Sequence, residues 1–271
     1  MAPLATRVVG RGHPTVVLPS FSLDGRSMAR VFEPAFLAQD AAADPSGGVA
    51  RIYLDLPGTG ASPAAHPTSD AVLDAVTTTV DDTVGAAAFS VVGWSYGGYL
   101  ALGLLRRLAD RVASALLVCT GTRIGPADRD LSGTRASPDA PGWLTGAPAH
   151  LHGHLHQAVG RRTATVAARV AALLVGNSPT DDAYLGRLRR DGFALADENA
   201  ATVTDRPVVV LAGRRDRVAG YRSMLDALSG FDRGDLLLSA TAGHYLPVED
   251  PELLVAGVAR WAAARLDRST A

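Results

Sequence analysis

Lysine is absent from this chain of 271 residues, so all 26 of its basic side chains are arginine. That bias would point to phosphate recognition if the arginines clustered, but they are scattered, and 27 Asp and Glu bring the formal net charge to −1. Binding a nucleic-acid backbone needs a concentrated excess of positive charge, so no nucleic-acid partner is expected. Cysteine is nearly absent as well. Cys119 stands alone, which excludes an intrachain disulfide. It ends the apolar run Ala115 to Cys119, the place of a buried strand residue rather than of an activated, exposed thiol. No unbroken apolar run reaches the ~20 residues that span a bilayer. Met1 to Arg7 has no charged segment followed by an apolar one, so a cytoplasmic protein without a membrane partner is expected. Internal repeats and low-complexity tracts are also missing.

What the chain does have is apolar material, 47% of its residues, enough for one sizeable core. Short runs of Val, Leu and Ile alternate with amphipathic segments, the pattern of an α/β fold with a mostly parallel, doubly wound sheet covered by helices. Strands are expected at 6–10, 15–19, 51–55, 89–93, 113–120, 207–212 and 236–239. Helices are expected at 26–38, after a Ser69 cap through Val80, from Ser95 to near Arg111, and at 221–228 and 251–266. Between 121 and 204 the rhythm breaks. Five prolines and several glycines lead into helical segments at 163–175 and 181–190, with no buried-strand pattern. This stretch reads as an insertion, with a sheet core of 1–121 and 205–271 and a cap of 122–204.

The chemistry-bearing residues stand at the ends of the expected strands. Gly93-Trp94-Ser95-Tyr96-Gly97 fits G-x-S-x-G between a buried strand and an apolar helix. A nucleophile on so tight a turn occupies a strained backbone conformation, and flanking glycines remove the Cβ atoms that would collide there. The bland alternative is a serine that caps the helix. A serine hydroxyl needs a base to take its proton, and His244, in Ala242-Gly243-His244-Tyr245 just past the last strand, is the candidate; its bland alternative is a surface-loop histidine. The imidazole needs a carboxylate to fix its tautomer. Asp216 follows the strand at 207–212 in Gly213-Arg214-Arg215-Asp216-Arg217-Val218, where an exposed ion pair is the competing reading; Asp128 or Asp130 is the fallback. The run His150-Leu151-His152-Gly153-His154-Leu155-His156 could pair imidazoles, but no cysteine or nearby carboxylate completes a ligand set, so exposed cap residues and no metal are expected.

With these motifs the chain resembles the α/β-hydrolase superfamily over nearly its whole length apart from the insertion. Asp55-Leu56-Pro57-Gly58-Thr59-Gly60-Ala61-Ser62 is similar to the D-x-P-G-x-G-x-S loop of single-domain members, and Gly243 to Pro251 to their G-H-x-x-x-x-E-x-P ending. The order Ser95, Asp216, His244 is also that of the superfamily. Asp55 and Glu249 are read as loop-shaping residues. The resemblance implies an α/β-hydrolase fold with a helical cap inserted after the sixth strand. It places the oxyanion-hole donors at the backbone N–H groups of Phe21 and Tyr96. One departure stands out: Pro19-Ser20-Phe21-Ser22 replaces the usual His-Gly, and proline has no N–H to donate. Serine in place of an aspartate nucleophile argues against haloalkane or epoxide opening.

The expected function is cleavage of an ester, thioester or related acyl bond of a small to mid-sized, partly apolar molecule, through an acyl-enzyme and with no cofactor. Trp94, Trp143, Leu144 and Phe193 are the candidate substrate-binding residues. Non-hydrolytic acyl transfer, cyclisation or lyase chemistry on the same scaffold stays open, as does a non-catalytic ligand receptor. Nothing in the sequence sets an oligomeric state.

Overall fold

The computed structural model describes residues 3–42 and 48–267. Seven strands form one sheet: β1 (Thr6–Val9), β2 (His13–Leu18), β3 (Val49–Leu54), β4 (Phe89–Trp94), β5 (Val112–Val118), β6 (Thr204–Gly213) and β7 (Phe231–Ser239). Their spatial order is β1-β3-β2-β4-β5-β6-β7. Only β1 runs antiparallel, against β3; every other pairing is parallel. The two opening strands therefore do not pair with each other. The Gly10 to Gly12 turn releases β2 past β1, and both lie against β3.

A parallel sheet has to be covered on both faces, and the period of two in its strands divides the core accordingly. Val16, Leu18, Ile52, Leu54, Val91, Ala115, Leu117, Val208 and Val210 pack on one face with α2 (Ser69–Val84) and α3 (Tyr96–Arg107). Val17, Tyr53, Val92, Trp94, Leu116, Val118, Val209 and Leu211 pack on the other with α1 (Gly25–Ala42) and α9 (Pro251–Leu266). The doubly wound arrangement expected from the alternation of segments is present.

The insertion stands between β5 and β6, five strands into this chain, and contributes α4 (His152–Ala158), α5 (Ala164–Val175) and α6 (Asp182–Asp191). Thr163 and Asp181 cap α5 and α6 with their side chains, accepting from Val166 N–H and Tyr184 N–H. After β6 come α7 (Arg222–Ala227) and, beyond β7, the short α8 (Leu246–Glu249). The cap of α2 differs from expectation. Thr68, not Ser69, accepts the Ala71 N–H, because the Ser69 hydroxyl is buried and committed to the Phe193 carbonyl and the Tyr96 hydroxyl. Cys119 is fully buried one residue past β5, and burial, with the Asp216 and Glu249 charges nearby, pushes its thiol up. Among the described residues no helix is long and apolar enough to cross a membrane.

Candidate active site

Ser95 sits between β4 and α3 with φ +57° and ψ −115°, a left-handed conformation that an L residue rarely adopts. The turn is held from three sides. Ser95 N–H donates to Val118 O, while Ser95 O accepts from Tyr99 N–H and from the Thr120 hydroxyl. Gly97 is required by its neighbours: a Cβ there would stand 2.2 Å from Leu18 O, so the first turn of α3 could not approach β2.

His244 lies on the loop after β7. Its Nε2 is 2.8 Å from Ser95 Oγ, and its Nδ1 is 2.9 Å from Asp216 Oδ2. An ionised carboxylate can only accept, so Nδ1 carries the proton, and Nε2 is left to accept from the serine hydroxyl. Asp216 is completely buried. Its other oxygen accepts from Val218 N–H and Ala219 N–H, so the turn after β6 fixes the carboxylate before it meets the imidazole. Asp128 and Asp130 take no part; Asp130 accepts from Ser132 N–H in an exposed turn.

The histidine loop is itself clamped. His244 N–H donates to Ala158 O at the end of α4, and Trp94 Nε1 donates to His244 O at 3.1 Å. Glu249, almost wholly buried, accepts from Gly243 N–H and Tyr245 N–H within the loop and from Gly160 N–H and Arg161 N–H in the insertion. Burial pushes its carboxyl up, against those backbone donors. Asp55 shapes the other loop in the same way, accepting from Gly25 N–H and Ala61 N–H.

A cavity of about 210 Å³ reaches Ser95 and His244. Ser20, Phe21 and Ser22 line one side of it, with Tyr96 beside Ser95. The Pro19 to Leu23 segment is a tight turn: Leu23 N–H donates to Ser20 O, Ser22 has φ +65°, and Ser22 O accepts from Asn177 Nδ2. Both amides expected as oxyanion donors thus belong to residues at the cavity. Neither Phe21 N–H nor Tyr96 N–H is among the turn and loop amides that bond to another backbone carbonyl in the described residues. Phe21, Tyr96 and Phe193 build an aromatic wall, with ring centroids 5.2 to 5.5 Å apart.

Of the four expected substrate-binding residues, only Phe193 reaches the cavity. Trp94 is spent beneath the site on the His244 carbonyl. Trp143 is buried against His156 and under the Arg162 guanidinium, and Leu144 packs beside the same apolar cluster. Sequence reasoning missed Arg129, Arg189, His154 and Tyr245, all of which line the cavity. Residues 129, 154 and 189 lie in the insertion, where no periodicity announces which side chains fold back onto the sheet. The histidine run is helical in its second half and its side chains diverge. His152 Nε2 lies 3.0 Å from Ala147 O, His154 Nε2 lies 2.7 Å from the Tyr245 hydroxyl, and His156 stands edge-on to Trp143. Burial, with His244 and Arg189 nearby, holds His154 below the usual histidine range. Among the described residues no group of three or more His, Cys, Asp or Glu is placed to hold a metal ion.

Comparison with known proteins agrees with this architecture. An alpha/beta superfamily hydrolase from Oenococcus oeni PSU-1 superposes with a TM-score of 0.83, at 24% identity and over 96% of this chain and 95% of that one. A thermophilic esterase from Thermogutta terrifontis gives a TM-score of 0.66 at 20% identity, over 97% and 93% of the two chains. In sequence, the pimeloyl-[acyl-carrier protein] methyl ester esterase of Neisseria meningitidis is 38% identical over 95 residues, a match that spans 35% of this chain and 28% of that relative. The family model for the alpha/beta hydrolase family matches residues 15–257, from within β2 into α9, and on that match the chain belongs to the alpha/beta hydrolase family.

Proposed function

We propose that this chain is a serine hydrolase that cleaves a small carboxylic ester, thioester or related acyl bond through an acyl-enzyme. The observation that carries the reading is the unbroken hydrogen-bonded chain from Ser95 Oγ through both His244 nitrogens to the buried Asp216 carboxylate. Ser95 Oγ attacks the acyl carbonyl as its proton passes to His244 Nε2, and Asp216 holds the resulting imidazolium. The oxyanion accepts from Phe21 and Tyr96 N–H; each such donor is worth about 2.7–4 kcal/mol in serine hydrolases. Collapse expels the alcohol or thiol, which takes the proton from Nε2. Water, activated by the same nitrogen, then adds to the acyl-serine, and the acid leaves as Ser95 regains its proton.

The cavity supports a small substrate. At about 210 Å³ it falls below the ~300–1,000 Å³ of sites for drug-sized ligands. The esterase names of the Neisseria relative and of the Thermogutta structure favour an ester over an amide.

The test is incubation with a fluorophosphonate probe between about pH 7 and 8, followed by peptide mapping. The expected result is one label on Ser95, abolished in Ser95→Ala and in His244→Ala. A folded protein that takes no label, or that labels equally without His244, would remove the basis for an activated serine.

A further inference from the structure

We infer that the substrate carries a carboxylate, held by Arg129 and Arg189 in the same cavity as Ser95. This rests on the hydrolase reading and names the chemistry its cavity selects. The charged and titratable groups lining the cavity are Arg129, Arg189, His154, His244, Tyr96 and Tyr245, with no Asp or Glu among them. Asp216 is enclosed behind His244, and both its oxygens already accept hydrogen bonds.

Some arginines of this chain are committed to a carboxylate of the protein, and the two at the cavity are not. Arg51, Arg106, Arg107, Arg111, Arg162 and Arg260 each hold a carboxylate at hydrogen-bond distance. Among the described residues no ion pair forms at Arg129 or Arg189, although the protein has 27 acidic residues to draw on. Arg129 is pinned by backbone carbonyls instead: Nε and Nη2 donate to Ile124 O, and Nη1 donates to Val218 O. A guanidinium has five N–H groups, so one on Nη1 and one on Nη2 remain to donate to a carboxylate. Burial and the nearby Arg189 charge both lower the Arg129 pKa, opposed by Asp216. An anion arriving between the two arginines would relieve that cost.

Arg189 stands exposed in the last turn of α6 and lies over the Phe21 ring, 5.6 Å from its centroid. Stacking on a ring face leaves the in-plane N–H groups of a guanidinium free. Around these charges the walls are apolar, with Ile124, Leu174, Val218 and the Phe21, Tyr96 and Phe193 rings. A short hydrocarbon spacer ending in a carboxylate fits both halves: the spacer against the wall, the charge on the guanidinium groups.

Two matched pairs of esters test this and tell which end of the substrate bears the charge. Mono-p-nitrophenyl glutarate against p-nitrophenyl pentanoate places the anion on the acyl side; 4-carboxyphenyl acetate against phenyl acetate places it on the leaving group. The expected result is a kcat/KM about ten- to a hundredfold higher for the anionic member of one pair, shrinking as salt is added. Arg189→Gln removes a side chain on the surface of α6 and should erase most of that preference, raising KM for the anionic ester about ten- to a hundredfold more than for the neutral one. Arg129→Gln also loosens the loop that carries Asp216, so it should lower both rates and the anionic one more. Equal rates within both pairs, or an Arg189→Gln loss shared by neutral and anionic esters, overturns the inference and leaves the hydrolase reading standing. If Ser95 takes no fluorophosphonate and neither pair is cleaved, the hydrolase reading fails instead. Calorimetry on Ser95→Ala with monomethyl and dimethyl glutarate then decides the anion site alone: tighter binding of the monoester, lost in Arg189→Gln, supports it, and equal binding overturns it.

Discussion

At the scale of single residues the site depends on one costly backbone conformation. Ser95 keeps φ at +57° because its N–H and C=O are both engaged, by Val118, Tyr99 and Thr120. A non-glycine residue held in so sparsely populated a region costs about 1–3 kcal/mol. Ser95→Gly should therefore be more stable than Ser95→Ala by about 1 kcal/mol, since both lose the hydroxyl but only glycine drops the Cβ. Urea midpoints of the two variants, at equal m-values, check this; Ser95→Ala matching or exceeding Ser95→Gly would mean that the turn stores no strain. The elbow was legible in the sequence because its chemistry is local. Two glycines, a serine and the switch from an apolar strand to an apolar helix leave few conformations open. His244 and Asp216 were legible for a similar reason, each following a strand whose end it must occupy. Arg129 and Arg189 were not: they are 60 residues apart in an insertion, and only tertiary packing gives them a common cavity.

At the scale of elements, the histidine loop is rigid because α8 returns a carboxylate to its own beginning. Glu249 accepts from two N–H groups of the loop and two of the insertion, leaving no free edge on which the loop could slide. Gln in its place keeps one acceptor oxygen and turns an NH₂ toward N–H groups. Glu249→Gln should destabilise the fold by about 2–3 kcal/mol, the cost of buried donors left unpaired. It should also lower kcat more than KM, because the imidazole is misplaced while the cavity wall is intact. Denaturant unfolding beside steady-state kinetics measures both; unchanged stability with a raised KM alone would assign Glu249 to substrate binding instead. Element positions were read well where a local start signal is strong, as in α9, which Pro251 opens, and poorly where burial is one-sided. Only the Leu236 to Ser239 end of β7 was expected, since Phe231 to Asp235 lies on an edge strand, half-buried and charged, without an alternating pattern.

At the scale of the whole molecule, the insertion is part of the core. Ile124, Tyr184, Leu185, Leu188, Phe193 and Leu195 belong to the cluster under α2 and α3, and Trp143, Leu155, Val166, Val170 and Leu173 to the cluster under α1 and α9. Polar ties repeat the message on several sides. Asp181 N–H donates to Gly58 O, Ser69 N–H to Gly192 O and Leu195 N–H to the Tyr99 hydroxyl, while Asp197 pairs with Arg106 and Arg107 of α3. A separately folding cap would share neither cluster. The sequence showed that an insertion exists, from the loss of strand pattern and the gathering of prolines, but a break in rhythm says nothing about how much surface the inserted helices bury. From these contacts the amides of α5 and α6 should exchange hydrogen with the same opening free energy as those of α3, and with the same denaturant dependence, because no subset can open without dismantling a shared core. Hydrogen exchange followed by mass spectrometry on peptides from the three helices measures this. Faster, denaturant-independent exchange confined to α5 and α6 would mean a cap that lifts on its own, and substrate would then enter by cap opening. Matched exchange means that the cavity walls are set before substrate arrives, so that a substrate must fit the cavity as it stands.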